Sequence, residues 1–156
     1  MRMSEGVEWG LHCCVTLAWL EAGTPVPTAR LAAQYELPPP YLSKCLQALV
    51  RGGILVSSAG KKGGVRLARP PTEISLLDVV LAIEGSDYAF RCNEIRQRGM
   101  GSSAPASDFL QPCAIAAAMH EAERGWRKEL AKTSLADLAS SAPRKAVDST
   151  RHFFAS

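Results

Sequence analysis

The chain has 156 residues, a formal net charge of +3 and 47% hydrophobic residues, which suits one cored domain with an appendage and excludes a disordered polymer. No run of about eighteen apolar residues occurs, so no membrane span is expected, and the start MRMSEGVEWG, with its early acid, is unlike a signal peptide; a cytoplasmic protein with no membrane partner is expected. The cysteines number five, an odd count that argues against a disulfide framework and for burial, metal binding or redox chemistry.

Val7 to Ala22 reads as a helix, because Val7, Leu11, Cys14 and Ala18 recur at helical spacing as a core stripe. Gly23 and Thr24-Pro25 end it. Thr28 to Tyr35 reads as a second, short helix with Leu31 and Ala32 facing inward. Pro38 to Pro40 interrupt the chain, and Pro40 fits the first turn of a third helix, Tyr41 to Arg51, with Leu42, Leu46, Leu49 and Val50 as its apolar face. Gly52-Gly53 stops that helix. The period then changes: ILVSS, a GKKGG turn and VRLAR form a β-hairpin. Ser75 caps a helix over Leu76 to Glu84. No long periodic run spans Gly85 to Pro112, and GMGSSAPAS is loop. Cys113 to Lys132 is a long amphipathic helix with Ile115, Met119, Ala122, Trp126 and Leu130 on one stripe, and the residues from Ser140 onward are expected to form a weakly ordered tail.

Helix, helix, turn, helix, hairpin is the order of a winged helix-turn-helix. The expected fold is mainly α with a small β-hairpin. A winged helix-turn-helix DNA-binding domain takes residues 1–84, a loop 85–112, a long helix and a short terminal helix 113–139, and the tail 140–156. Between Leu37 and Thr72 lie Lys44, Arg51, Lys61, Lys62, Arg66 and Arg69 and no acid. That run suits a polyanion, although a solvated basic face would read the same way. In this architecture the third helix enters the major groove, which points to Tyr41, Ser43, Lys44 and Gln47 as DNA-binding residues. Lys44 suits guanine or phosphate and Gln47 an adenine edge; Lys61 and Lys62 at the wing tip suit phosphates. No nucleophile–base pair with an orienting acid, phosphate loop or dinucleotide fingerprint is present, so an enzyme is not expected.

Glu8 and His12 are four residues apart, so a helix sets them on one face about 6 Å apart. They can ligate one metal ion or form an ordinary surface pair. Cys14 lies on the core stripe and Cys45 packs, while Cys13 is ambiguous. Cys92 and Cys113 bracket the long loop, and Cys113 follows Pro112 at a helix start, where a thiolate is favoured.

The run YLSKCLQALVRGGILVSSAGKKGGVRLARPPTEISLLDVVLAIEG resembles the Rrf-type winged-helix regulators, the family of IscR and NsrR. The similarity spans roughly residues 1–138. GVEWGLHCC, FRCNEIRQRG at Phe90 to Gly99 and PCAIAAAMHEAERGW at Pro112 to Trp126 resemble its redox-responsive RsrR-like branch. The resemblance implies a bacterial homodimeric transcription factor, a repressor on a palindromic double-stranded DNA operator, with the long C-terminal helix making the dimer. It also implies that the 85–112 loop binds a cluster. Relatives hold an iron–sulfur cluster on three closely spaced cysteines in this loop, whereas here only Cys92 and Cys113 are present. A [2Fe–2S] cluster then needs other ligands. The branch implies Glu8 and His12 from one subunit with Cys92 and Cys113 from the other, which makes a redox sensor. Zinc on the same residues, with His120 as a substitute ligand, or a reversible Cys92–Cys113 disulfide would give a cluster-free regulator of the same fold.

Overall fold

The computed structural model describes residues 2–156; Met1, the first residue of the expected DNA-binding domain, lies outside the described residues. The chain forms two compact units, one of residues 2–86 with 130–156 and the other of residues 87–129.

In the larger unit, α1 (Glu5–Trp19) leads to α2 (Thr28–Tyr35) and α3 (Pro39–Arg51). α1 starts two residues before the expected position and stops at Trp19, because Leu20 is already extended. Glu36 closes α2 in the left-handed region, φ 52°, with its N–H donated to the carbonyls of Ala32 and Ala33. Proline then opens α3, where missing N–H groups leave no intrahelical bond unmade. Strands β1 (Leu55–Ser58) and β2 (Gly64–Leu67) pair antiparallel with Leu55 opposite Leu67 and Ser58 opposite Gly64. Val26 adds a third rung through two backbone hydrogen bonds with Val65, of 2.8 and 2.9 Å. Gly64 permits this: a Cβ there would lie 2.3 Å from the Val26 backbone. α4 (Leu76–Glu84) opens on a capping box in which Ser75 accepts the Asp78 N–H and Asp78 accepts that of Ser75.

Leu31, Leu42, Leu49, Ile54, Leu55, Ile74 and Val79 are fully buried, with Cys13 and Cys14 among them. Each such aliphatic side chain contributes about 1.5–3 kcal/mol. The core stripe of α1 is correct at Val7 and Cys14, which are buried, whereas Leu11 and Ala18 are only half-buried.

The C-terminal residues depart from the expected tail. α6 (Leu135–Ser141) has its own capping box, Ser134 with Asp137. Its entry is stitched to the start of α4 by Leu76 N–H to Thr133 O and Leu135 N–H to Ile74 O, with Leu135 fully buried. α6 therefore packs as part of the larger unit. α7 (Arg144–Ala155) follows it, where a weakly ordered tail was expected. Its sequence is mostly polar, but Phe154 packs on the core and Arg30 lies over the rings of Phe153 and Phe154, at 5.1 and 5.7 Å. Arg151 Nε also donates to the Trp19 carbonyl at 2.9 Å.

The smaller unit contains short 3₁₀ turns at Ile95–Gln97, Gly99–Ser103 and Ala106–Phe109, then most of α5 (Ala114–Leu130). A clamp ties the start of the loop to α5. The buried Glu123 carboxylate accepts the Ala89 N–H at 2.8 Å and Arg127 at 2.7 Å, and Arg127 also donates to Asp87 O at 3.0 Å. Burial opposes ionisation of Glu123, but the hydrogen bonds from Arg127 and Ala89 hold its carboxyl below the usual range. Among the described residues no helix is long and apolar enough to cross a membrane.

Candidate nucleic-acid interface and ligand pairs

α3 turns Leu42, Cys45, Leu46 and Leu49 into the core and leaves Tyr41, Lys44 and Gln47 exposed on the opposite face. Ser43 is half-buried beside them. The Lys44 ammonium sits 5.7 Å from the Tyr41 ring centroid, a cation–π contact that orients it at the edge of the face. Lys61 and Lys62 are exposed on the turn between β1 and β2. Arg66 is exposed on β2, while Arg69 faces Asp78 at 3.7 Å, so its charge is partly committed within the unit.

Glu8 and His12 are both exposed on α1 and line a concavity of about 460 Å³ with Met3, Glu5 and Leu11. Sequence spacing did not reveal Tyr35 beside them. Its ring centroid is 5.6 Å from that of His12, and its hydroxyl is 2.8 Å from the Thr16 hydroxyl. α2 therefore buttresses the histidine.

Cys92 and Cys113, far apart in sequence, lie close enough in the smaller unit for the Cys92 side chain to favour the Cys113 thiolate. The backbone N–H groups of Ala116 and Ile115, in the first turn of α5, hold the Cys113 thiol below its ordinary pKa. Burial opposes these two bonds by less, and the Cys92 side chain and the Arg96 guanidinium add smaller contributions in the same direction as the N–H groups. Arg96 is a residue that sequence reasoning missed. It forms a fork with Glu94, donates to Gln111 O at 3.2 Å and lies 5.4 Å from the Phe109 ring centroid. Those contacts join the two ends of the loop that carry the cysteines.

The remaining thiols are of another kind. Burial pushes Cys45 up to about 11 and Cys13 up to about 12, with Cys14 higher still. Cys13, ambiguous from sequence, is a core residue with no exposed surface. Cys45 points its Sγ at Gly6 O, 3.2 Å away. His120, a candidate substitute ligand, instead sets its Nε2 3.3 Å from Phe90 O and its ring 4.5 Å from that of Tyr88. Among the described residues no three of histidine, cysteine, aspartate and glutamate converge. The four candidate ligands stand as two pairs, Glu8–His12 in one unit and Cys92–Cys113 in the other.

The sequence model of Rrf2, described as an iron-dependent transcriptional regulator, matches residues 3–141. A Lactococcus lactis protein named as the HTH-type transcriptional regulator YffB is 34% identical over 89% of this chain and 87% of its own. A Mycobacterium tuberculosis protein named as the HTH-type transcriptional regulator Rv1287 is 33% identical over 97% of this chain and 96% of its own. Among solved structures, CymR, the global cysteine regulator of B. subtilis, superposes with a TM-score of 0.65 at 22% identity, covering 92% of this chain and 99% of that one. IscR of T. potens gives 0.66 at 19% identity, covering 93% and 90%. Both likenesses are of fold.

Proposed function

The chain belongs to the Rrf2 family of transcriptional regulators, and from that premise we propose a redox-sensing repressor that works as a homodimer on a palindromic operator. Members of this family are DNA-binding regulators and not enzymes. Tyr41, Ser43, Lys44 and Gln47 read the major groove, and Lys61 and Lys62 grip phosphates beside it. The sensor is a [2Fe–2S] cluster held between subunits, on Glu8 and His12 of one and Cys92 and Cys113 of the partner subunit.

The observation that carries this reading is the meeting of Cys92 and Cys113, distant in sequence, with Cys113 favoured as a thiolate. Two thiolates offer half of the four ligands that such a cluster needs, and Glu8 with His12 offers a second half of matching size. The donor types fit, since thiolate and imidazole both ligate iron in these centres. When bound, the cluster supplies one-electron chemistry, at a potential raised by imidazole ligation.

The protein's own groups do the rest. N–H groups at the start of α5 and the Arg96 guanidinium stabilise thiolate charge. Tyr35 restrains the His12 ring, for whose nitrogen a proton and a metal would compete. α1, which carries Glu8 and His12, packs against α3 at Gly10, where an added Cβ would lie 2.6 Å from Ile83 Cδ1 and 3.4 Å from Cys45 Sγ. A displacement of α1 therefore moves the packing of the recognition helix, the two-state element a switch requires.

The adjacency of the two thiols favours one second reading, a cluster-free regulator in which Cys92 and Cys113 close reversibly to a disulfide or hold zinc. An absorption spectrum of anaerobically purified protein, with iron and sulfide analysis, separates them, because only the iron–sulfur centre is coloured. Mixing a C92A/C113A chain with an E8A/H12A chain tests the cross-subunit arrangement. The heterodimer should retain one site while neither parent retains any. A colourless mixed dimer beside a coloured wild type would end the shared-site reading.

A further inference from the structure

A cavity of about 590 Å³ opens in the larger unit between the C-terminal end of α1, the segment 24–27, the start of α2 and α7. Its volume falls in the range of small-molecule sites, about 300–1,000 Å³. Trp19, Val26, Pro27 and Phe154 supply apolar wall, and Arg30 and Arg151 are the cationic groups of the lining. Each arginine is anchored by a backbone carbonyl, Arg30 by Phe153 O and Arg151 by Trp19 O. A guanidinium has five N–H donors, so these anchors orient the two groups and leave donors for a ligand. Neither is in an ion pair among the described residues. Glu21, the one acid of the lining, pairs with neither. Two oriented guanidinium groups at an apolar wall, with no carboxylate of the protein on them, are complementary to an amphipathic anion.

We propose that this cavity binds a small apolar carboxylic acid, with its hydrocarbon part against Trp19 and Phe154 and its carboxylate on Arg30 and Arg151. The site is independent of the Cys92–Cys113 and Glu8–His12 pairs. It shares a wall with the wing, because Val26 is also the residue hydrogen-bonded to Val65 of β2.

Titration calorimetry of the full chain with 4-phenylbutyrate, and separately with the neutral 4-phenylbutyramide, tests the assignment. The acid should bind saturably, one per chain, and the amide at least about tenfold more weakly, since it loses the charge-assisted bonds. Arg151→Gln should weaken the acid by a similar factor. Ala155→Glu, at an exposed lining position in the last turn of α7, should abolish binding by presenting a carboxylate of the protein to the arginines. Circular dichroism melting checks that both variants are folded. If Arg151→Gln unfolds, Ala155→Glu decides alone, because it leaves both arginines in place. Absence of saturable binding by the acid overturns the proposal. So does equal binding of acid and amide, or unchanged affinity in a folded Ala155→Glu protein.

Discussion

At the scale of single residues, the proposed DNA contacts divide by chemistry between the exposed face of α3 and the wing tip. Among the described residues Lys61 and Lys62 have no ion-pair partner, and both are exposed on the turn, so they suit phosphates. Replacing both by alanine should weaken specific and non-specific DNA alike, and each lost phosphate contact should flatten the slope of log K against log salt by about 0.9. Gln47→Ala should instead relax preference at one base pair by about 1–3 kcal/mol. Binding titrations over a series of salt concentrations and operator variants distinguish the two patterns. The thiols divide similarly. Cys113 is held below its ordinary value of 9.0, so its thiolate persists to lower pH and in cluster-free protein it should alkylate at lower pH than an ordinary thiol. Cys13, raised to about 12 by burial, should react only on unfolding. Peptide mapping after iodoacetamide treatment at a series of pH values checks this, and Arg96→Gln should move the Cys113 reactivity midpoint to higher pH.

At the scale of elements, the wing depends on one close backbone approach. Gly64→Ala would drive a Cβ into the Val26 main chain, 2.3 Å away, which no side-chain rotation relieves. The cost should be about 1–3 kcal/mol as an overpacking change, read as a lower urea midpoint, with weaker DNA binding because the wing separates from the Val26 segment. Gly10 differs. There an added methyl meets the flexible end of Ile83, so α1 can give way slightly, and Gly10→Ala should perturb regulation more than stability. In the smaller unit the Glu123–Arg127 clamp fixes the segment from Asp87 to Ala89 on α5. It thereby sets where the chain begins its path to Cys92.

At the scale of the whole molecule, the smaller unit exposes more apolar surface than an isolated chain favours. Ile115 is 66% exposed and Met119 45% on α5, with Ile95 at 70%, Leu110 at 79% and Met100 at 98%. Exposed large apolar side chains on α5 suit an interface, and a second copy of α5 is the occupant that the proposed homodimer supplies. Sedimentation velocity should give a dimer. Ile115→Asp with Met119→Asp should give a monomer of unchanged helicity that binds half-sites weakly and carries no shared cluster. A dimer that persists in this double variant would move the interface elsewhere.

Periodicity and punctuation in the sequence were enough to determine the winged helix-turn-helix order, the outward set of Tyr41, Lys44 and Gln47, and the burial of Leu42, Leu46 and Leu49. Those features depend on spacings of three and four residues, or on the alternation of a strand, and such spacings are local. Glu8 and His12 on one face of α1 were legible for the same reason. The tertiary structure alone decided what depends on long-range closure. Cys92 meets Cys113 because Glu94, Arg96 and Gln111 tie the loop across its ends, and no spacing rule encodes that. Tyr35 reaches His12 from another helix. The residues from Ser140 onward read as a weakly ordered tail, yet residues 144–155 form α7, because Phe154 packs on the core and Arg30 and Arg151 tie the helix to the rest of the unit. Burial against partners far along the chain is a property of the folded surface, and the sequence expresses it only once the partners are in place.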